Sequence, residues 1–144
     1  MNAAWIIPAI VLIAPGLRAQ ESEVDNRIRT IAGLNVQLAK VFFTEIKRAI
    51  DQGDKKAVSK MVAYPTKVTL KGVRNRKIMN RAEFEEHYDE IINEAVIKAV
   101  RAQAYGDLFV NYRGVMVGRG EIWFSARKGP TGEFDQFRII KVNN

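Results

Sequence analysis

Part-way along the chain the hydrophobic period changes, and that change limits the folds open to it. Between Val36 and Ile50 the apolar residues fall at Ala39, Phe42, Phe43, Ile46, Ala49 and Ile50. Spacings of three and four residues put them on one face of an amphipathic helix. From Leu108 onward the apolar residues gather instead in short runs: Leu108–Val110, Val115–Val117, Ile122–Ala126 and Phe134–Val142. These runs are rich in β-branched and aromatic side chains, which suit a pleated sheet. Helices first and strands last do not make alternating βαβ units. They predict an α+β architecture, with N-terminal helices packed on a curved antiparallel sheet.

Between these two ends the signals are local. Gly53 is a natural helix stop, Asp54 can cap a second short helix through Met61, and Tyr64-Pro65 ends it. Val68, Leu70 and Val73, followed by Ile78-Met79, predict two short strands joined near Gly72–Arg76. Asn80 with Glu83 resembles a capping box that opens a helix whose apolar face is Phe84, His87, Tyr88, Ile91, Ile92 and Ala95. A further helical stretch is expected to about Ala104. Gly114, Gly118 and Gly120 suggest bulges or close backbone approach, and Lys128-Gly-Pro-Thr-Gly132 a hairpin turn. A chain of 144 residues forms one core and buries roughly two thirds of its unfolded surface.

Residues 5–14, Trp5-Ile-Ile-Pro-Ala-Ile-Val-Leu-Ile-Ala14, form an apolar run of about ten residues. It is too short to span a bilayer and fits the apolar region of a signal peptide. Ala19 is a small residue at a plausible cleavage point, after which the composition turns to Glu-Ser-Glu-Val-Asp-Asn-Arg. The sequence therefore divides into residues 1–19 as a cleaved signal peptide, 20–35 as an extension or first helix, and 36–144 as the folded domain. The expected location is the bacterial periplasm or the secreted space. No cysteine and a single histidine exclude a disulfide scaffold, a thiolate zinc site, an iron–sulfur cluster and a multi-histidine metal site. No metal and no cofactor is expected.

The charge distribution says more than the net +7. Residues 55–82 hold nine Lys or Arg and no acid, while residues 83–94 hold six acids and no Lys or Arg. Within the basic segment Lys67, Lys71, Arg74, Arg76 and Lys77 cluster on the predicted hairpin, where they could meet an anionic envelope surface. The opposing expectation is a solvated hairpin neutralised by the adjacent acidic helix. Single-stranded nucleic acid is not the expected partner, because stacking needs aromatic residues among the cations and only Tyr64 lies there.

Several strings carry a family resemblance: Phe43-Thr-Glu-Ile-Lys-Arg-Ala-Ile50, Ala63-Tyr-Pro65, Glu83-Phe84 with Tyr88-Asp89, and Gly114-Val-Met-Val-Gly-Arg-Gly-Glu-Ile-Trp-Phe124. With the order of elements, they resemble the nuclear transport factor two-like superfamily, which includes SnoaL-like and ketosteroid-isomerase-like proteins. More closely, they resemble small exported bacterial proteins of unknown function within it. The resemblance covers residues 36–144. It implies a cone-like fold with a pocket between sheet and helices, and it implies no single activity.

The expected pocket would be lined by Tyr64, Phe84, His87, Tyr88 and Tyr112. If it is catalytic, His87, Tyr88 and Asp107 are the candidates, with a base and a hydroxyl donor sharing an apolar cavity of about 300 Å³ or more. No catalytic residue is assigned. Glu121 and Trp123 share one face of their strand, opposite Ile122 and Phe124. If the latter two fill the core, Glu121 and Trp123 lie on the outer sheet face, where the superfamily often dimerises; the reverse would put them in the pocket. The leading expectation is a non-catalytic binder of a small apolar ligand or a protein partner, acting as a homodimer. The alternatives are a SnoaL-like isomerase, dehydratase or hydrolase acting on a hydrophobic small molecule, and an envelope-associated module that binds anionic polymer or lipid through the basic hairpin.

Overall fold

The computed structural model describes residues 14–128 and 134–144. The expected turn at 129–132 and the apolar run up to residue 13 lie outside the described residues. Three helices come first: α1 (Pro15–Thr30), α2 (Val36–Asp51) and α3 (Lys55–Met61). A hairpin follows, made of β1 (Thr66–Leu70) and β2 (Val73–Ile78). Next come α4 (Arg81–Glu86), α5 (Tyr88–Ile91), α6 (Glu94–Ala102) and a 3₁₀ turn (Tyr105–Asp107). The chain closes with β3 (Phe109–Asn111), β4 (Gly114–Val117), β5 (Ile122–Lys128) and β6 (Phe134–Val142). β3 to β6 form an antiparallel four-stranded sheet in sequence order, and β1 pairs only with β2. The architecture is α+β. No helix among the described residues is long and apolar enough to cross a membrane.

Local chemistry explains where the helices start. Asn35, Asp54, Asn80 and Asn93 each accept a hydrogen bond from the backbone N–H three residues on, satisfying a donor that the first helical turn leaves free. At α4 Glu83 also reaches back past the cap, accepting from the Met79 N–H at 2.8 Å, a variant of the capping box.

The expected continuous helix from Phe84 through Ala95 is a correction. The chain leaves helical geometry at His87 (φ −102°, ψ 14°) and again at Ile92, and Asn93 then caps a new helix. The new register buries Val96 and Val100 and leaves Ala95 exposed. The hairpin turn also sits earlier than expected. Leu70 pairs with Val73, so Lys71 and Gly72 form a two-residue turn with φ of 49° and 76°. Positive φ at both turn residues matches the right-handed twist of the strands, and Val73–Arg76 belong to β2.

The four-stranded sheet divides cleanly by face. Val110, Val115 and Phe124 line up across the strands, with Val117, Ile122 and Val142 beside them, and all are buried. Phe42 of α2 packs on this face, with its ring 5.5 Å from Phe124 and 5.7 Å from Phe137. Fully buried side chains of this size contribute about 1.5–3 kcal/mol each, so this inner face fixes the helices on the sheet. Helix α1 runs through Ala19 and buries Val24 and Ile28. Its Asp25 accepts from Tyr105 Oη at 2.7 Å and pairs with Lys40 at 3.0 Å, which ties α1 to the 3₁₀ turn and to α2.

Candidate functional site

Alternation along the hairpin separates its core from its charge. Thr66, Val68 and Leu70 of β1 and Ile78 of β2 are buried, whereas Val73 through Lys77 are all exposed. Lys67 faces the other way and stands directly opposite Lys77. Beyond this pair the register slips, so that Arg74 and Asn75 together oppose Thr69. Asn75 takes φ of 60°, a conformation that asparagine tolerates better than most residues. This bulge brings Arg74 to the same cleft as Lys67.

That cleft, of about 810 Å³, lies between the hairpin and the end of β6. Lys67, Arg74 and Lys141 supply its side-chain charge, and no Asp or Glu lines it. Asn144, one of its lining residues, fastens the hairpin in place. The side-chain carbonyl accepts from the Thr69 N–H at 2.9 Å, and the amide donates to the carbonyls of Thr69 at 2.7 Å and Glu90 at 3.0 Å. One asparagine thus stands in for a missing ladder between β1 and β6.

Among the described residues no carboxylate of the acidic segment forms an ion pair with a hairpin cation, and Glu90 meets the hairpin at its turn. Glu85 accepts from Ser59, Glu83 caps α4, Glu94 pairs with Lys98, and Glu90 accepts from the Lys71 backbone N–H. Asp89 pairs with Lys55 at 2.8 Å, and among the described residues this is the one ion pair made by any of the nine cations in 55–82. Lys67, Lys71, Arg74, Arg76 and Lys77 therefore share one hairpin. Lys67 and Arg74 line the cleft, Lys77 stands beside Lys67, Arg76 opposes Val68, and Lys71 occupies the turn.

Comparison with known proteins finds no match: no family model, no curated protein and no solved structure. The site is therefore judged on its chemistry.

The residues expected in an apolar pocket divide. Tyr64, Phe84 and Tyr88 form a chain of edge-to-face rings with centroids 6.2 Å apart at each step. Phe84 and Tyr88 are buried, and Tyr64 donates its hydroxyl to the Ser59 carbonyl at 2.8 Å. Burial raises the Tyr64 phenol well above its ordinary value and pushes Tyr88 up to about 12, so both hydroxyls stay protonated. His87 is only half-buried, at the break between α4 and α5. Tyr112 is 75% exposed on the β3–β4 turn, at the other edge of the sheet. Asp107 lies on the 3₁₀ turn in a different cleft of about 610 Å³, whose walls include Lys98, Arg119 and Glu121. Neither cleft has His87 or Tyr88 among its walls.

Ile122 and Phe124 are fully buried, and Trp123 lies on the opposite, outer sheet face. Glu121 accepts from the Arg119 N–H at 2.6 Å, which spends its carboxylate on the β4–β5 turn. Sequence reasoning missed Lys141, which lies 74 residues from Lys67 and joins it only through packing of β6 against the hairpin. It also missed Phe109 and Met116, which share the outer face with Trp123. Strand alternation was the signal that could have found them, since Phe109 and Met116 are the immediate neighbours of the core-facing Val110 and Val115 and so face the other way.

Proposed function

We propose that the chain is a non-catalytic binding module that holds an anionic partner in the cleft between the β1–β2 hairpin and β6. The observation that carries this reading is the convergence of Lys67, Arg74 and Lys141 on walls without an acidic side chain. Among the described residues these three cations form no ion pair; like charges near one another repel, and an anion relieves that repulsion while it displaces their counterions. The reading includes export, with the apolar run before residue 15 as the signal, and an envelope polymer or lipid headgroup as the source of negative charge. The nuclear transport factor two-like resemblance enters as the fold ancestry proposed for residues 36–144.

The test is retention on an anionic resin across a salt series, with variants of matched charge. Lys67→Glu combined with Arg74→Glu removes retention at moderate salt, whereas Lys56→Glu combined with Lys60→Glu on α3 leaves most of it. Equal loss from both pairs would reduce the effect to net charge and overturn the site. Salt-independent retention would overturn it too.

A second reading, binding of a small apolar ligand, rests on a groove of about 340 Å³ between α2 and β6. Leu38 and Val41, which are 49% and 61% exposed, line it with Phe42 and Phe137. An apolar dye that binds there raises the melting temperature, and Val41→Asp abolishes that rise.

A further inference from the structure

Lys141 belongs to two surfaces at once. It walls the basic cleft, and it stands directly opposite Trp123 on the outer face of the sheet. From Trp123 the same rung continues to Met116 and then to Phe109. Phe109 is 46% exposed, and its ring meets Trp123 edge to face with centroids 6.4 Å apart. An apolar, aromatic platform about 10 Å across, two strand spacings wide, therefore begins where the cations of the cleft end.

We propose that the ligand is an acidic polysaccharide: its carboxylates lie in the Lys67–Arg74–Lys141 cleft, and one of its sugar rings rests on the Phe109–Met116–Trp123 platform. This inference depends on the anion-binding reading of the cleft and names its ligand class. The face of a sugar ring presents polarised C–H groups, which lie favourably against the negative face of an aromatic ring. Successive bases of a single strand would need parallel stacking platforms, but the Phe109 and Trp123 ring planes are 85° apart. A lipid surface would be engaged by apolar side chains that project as a wedge, whereas Met116 and Trp123 are half-buried.

The test uses Trp123 as its own reporter. In a Trp5→Phe background, polygalacturonate shifts the tryptophan emission and binds in a salt-dependent way. Polyglutamate, which has the charge without the rings, binds more weakly and leaves the emission unchanged. Phe109→Ala weakens polygalacturonate binding about tenfold and leaves polyglutamate binding as it was, with an unchanged melting temperature to show that the fold is intact. Met116→Lys, which blocks the platform without opening the core, does the same. An unchanged emission on adding polygalacturonate overturns the inference. So does equal weakening of both polymers by Phe109→Ala, or tighter binding and stronger quenching by oligothymidylate or by phosphatidylglycerol vesicles. If Lys67→Glu with Arg74→Glu abolishes polygalacturonate binding while Phe109→Ala does not, the cleft stands and the platform falls. If neither matters, both readings fall.

Discussion

Lys67 and Lys77 stand directly opposite each other across the β1–β2 hairpin. Cross-strand pairing favours opposite charges and penalises like ones. No carboxylate within the hairpin offsets the pair, because residues 55–82 contain none. The arrangement costs stability and concentrates positive potential beside the cleft.

Lys77→Glu turns that repulsion into a cross-strand ion pair. The variant gains about 0.2–1 kcal/mol in urea unfolding, and it loses retention on an anionic resin. Greater stability with unchanged retention would separate the Lys67–Lys77 pair from binding. Lower stability would mean that the two side chains do not meet in solution.

Asn144 holds the hairpin to the sheet through three hydrogen bonds to Thr69 and Glu90. Asn144→Ala removes them at a cost of about 1–3 kcal/mol. The effect is local: hydrogen exchange of the Thr69 amide accelerates, while amides of β5 keep their protection. Uniform acceleration would place the loss in global stability instead.

Tyr88 is 3% exposed, and its hydroxyl has no hydrogen-bond partner among the described residues. A buried polar group left unpaired costs about 1–3 kcal/mol, so Tyr88→Phe is neutral or stabilising by about 1 kcal/mol. Its ring contact with Phe84 survives the change. A clear loss of stability on calorimetry would reveal a partner for the hydroxyl.

Two glycines separate strain from collision. Gly114 has φ of 137°, and a Cβ there would stand 2.4 Å from the Phe124 carbonyl oxygen. Gly72 has φ of 76° with open space around it. Gly72→Ala costs about 1 kcal/mol from backbone strain alone. Gly114→Ala adds overpacking against the β5 backbone and costs roughly 2–5 kcal/mol. Equal losses in thermal unfolding would mean that β4 can move away from β5.

The α+β order was legible because its signals are local: 3.6-residue spacing in α2, β-branched runs in β3 to β6, and Asx caps at Asp54 and Asn80. The breaks at His87 and Ile92 were hidden because Phe84, Tyr88, Ile91 and Ile92 keep helical spacing across them. Only the cap at Asn93 gives the new register away. Two of the three cations of the basic cleft, Lys67 and Arg74, were visible in the run of cations. Lys141 was not, since β6 meets the hairpin through tertiary packing and the Asn144 clasp. The platform stayed hidden for a related reason, because the order of strands sets which residues share a rung.

Alkaline pH tests the buried tyrosines together. Burial raises Tyr88 to about 12 from its ordinary 10.0, and it raises Tyr64 further. Tyr105 is raised by burial and by its hydrogen bond to Asp25. In each case the folded chain holds its proton more tightly than the unfolded chain. The stabilisation is complete below pH 10, where both states are protonated. Above it the unfolded chain releases protons that the folded chain keeps, so stability falls as pH rises. The urea midpoint therefore holds steady up to about pH 10 and drops steadily toward 12. Tyr105→Phe makes that drop shallower while weakening the α1 contact at Asp25, whereas Tyr88→Phe makes it shallower with no loss at neutral pH. A midpoint that does not change between pH 10 and 12 would mean that these phenols are open to solvent.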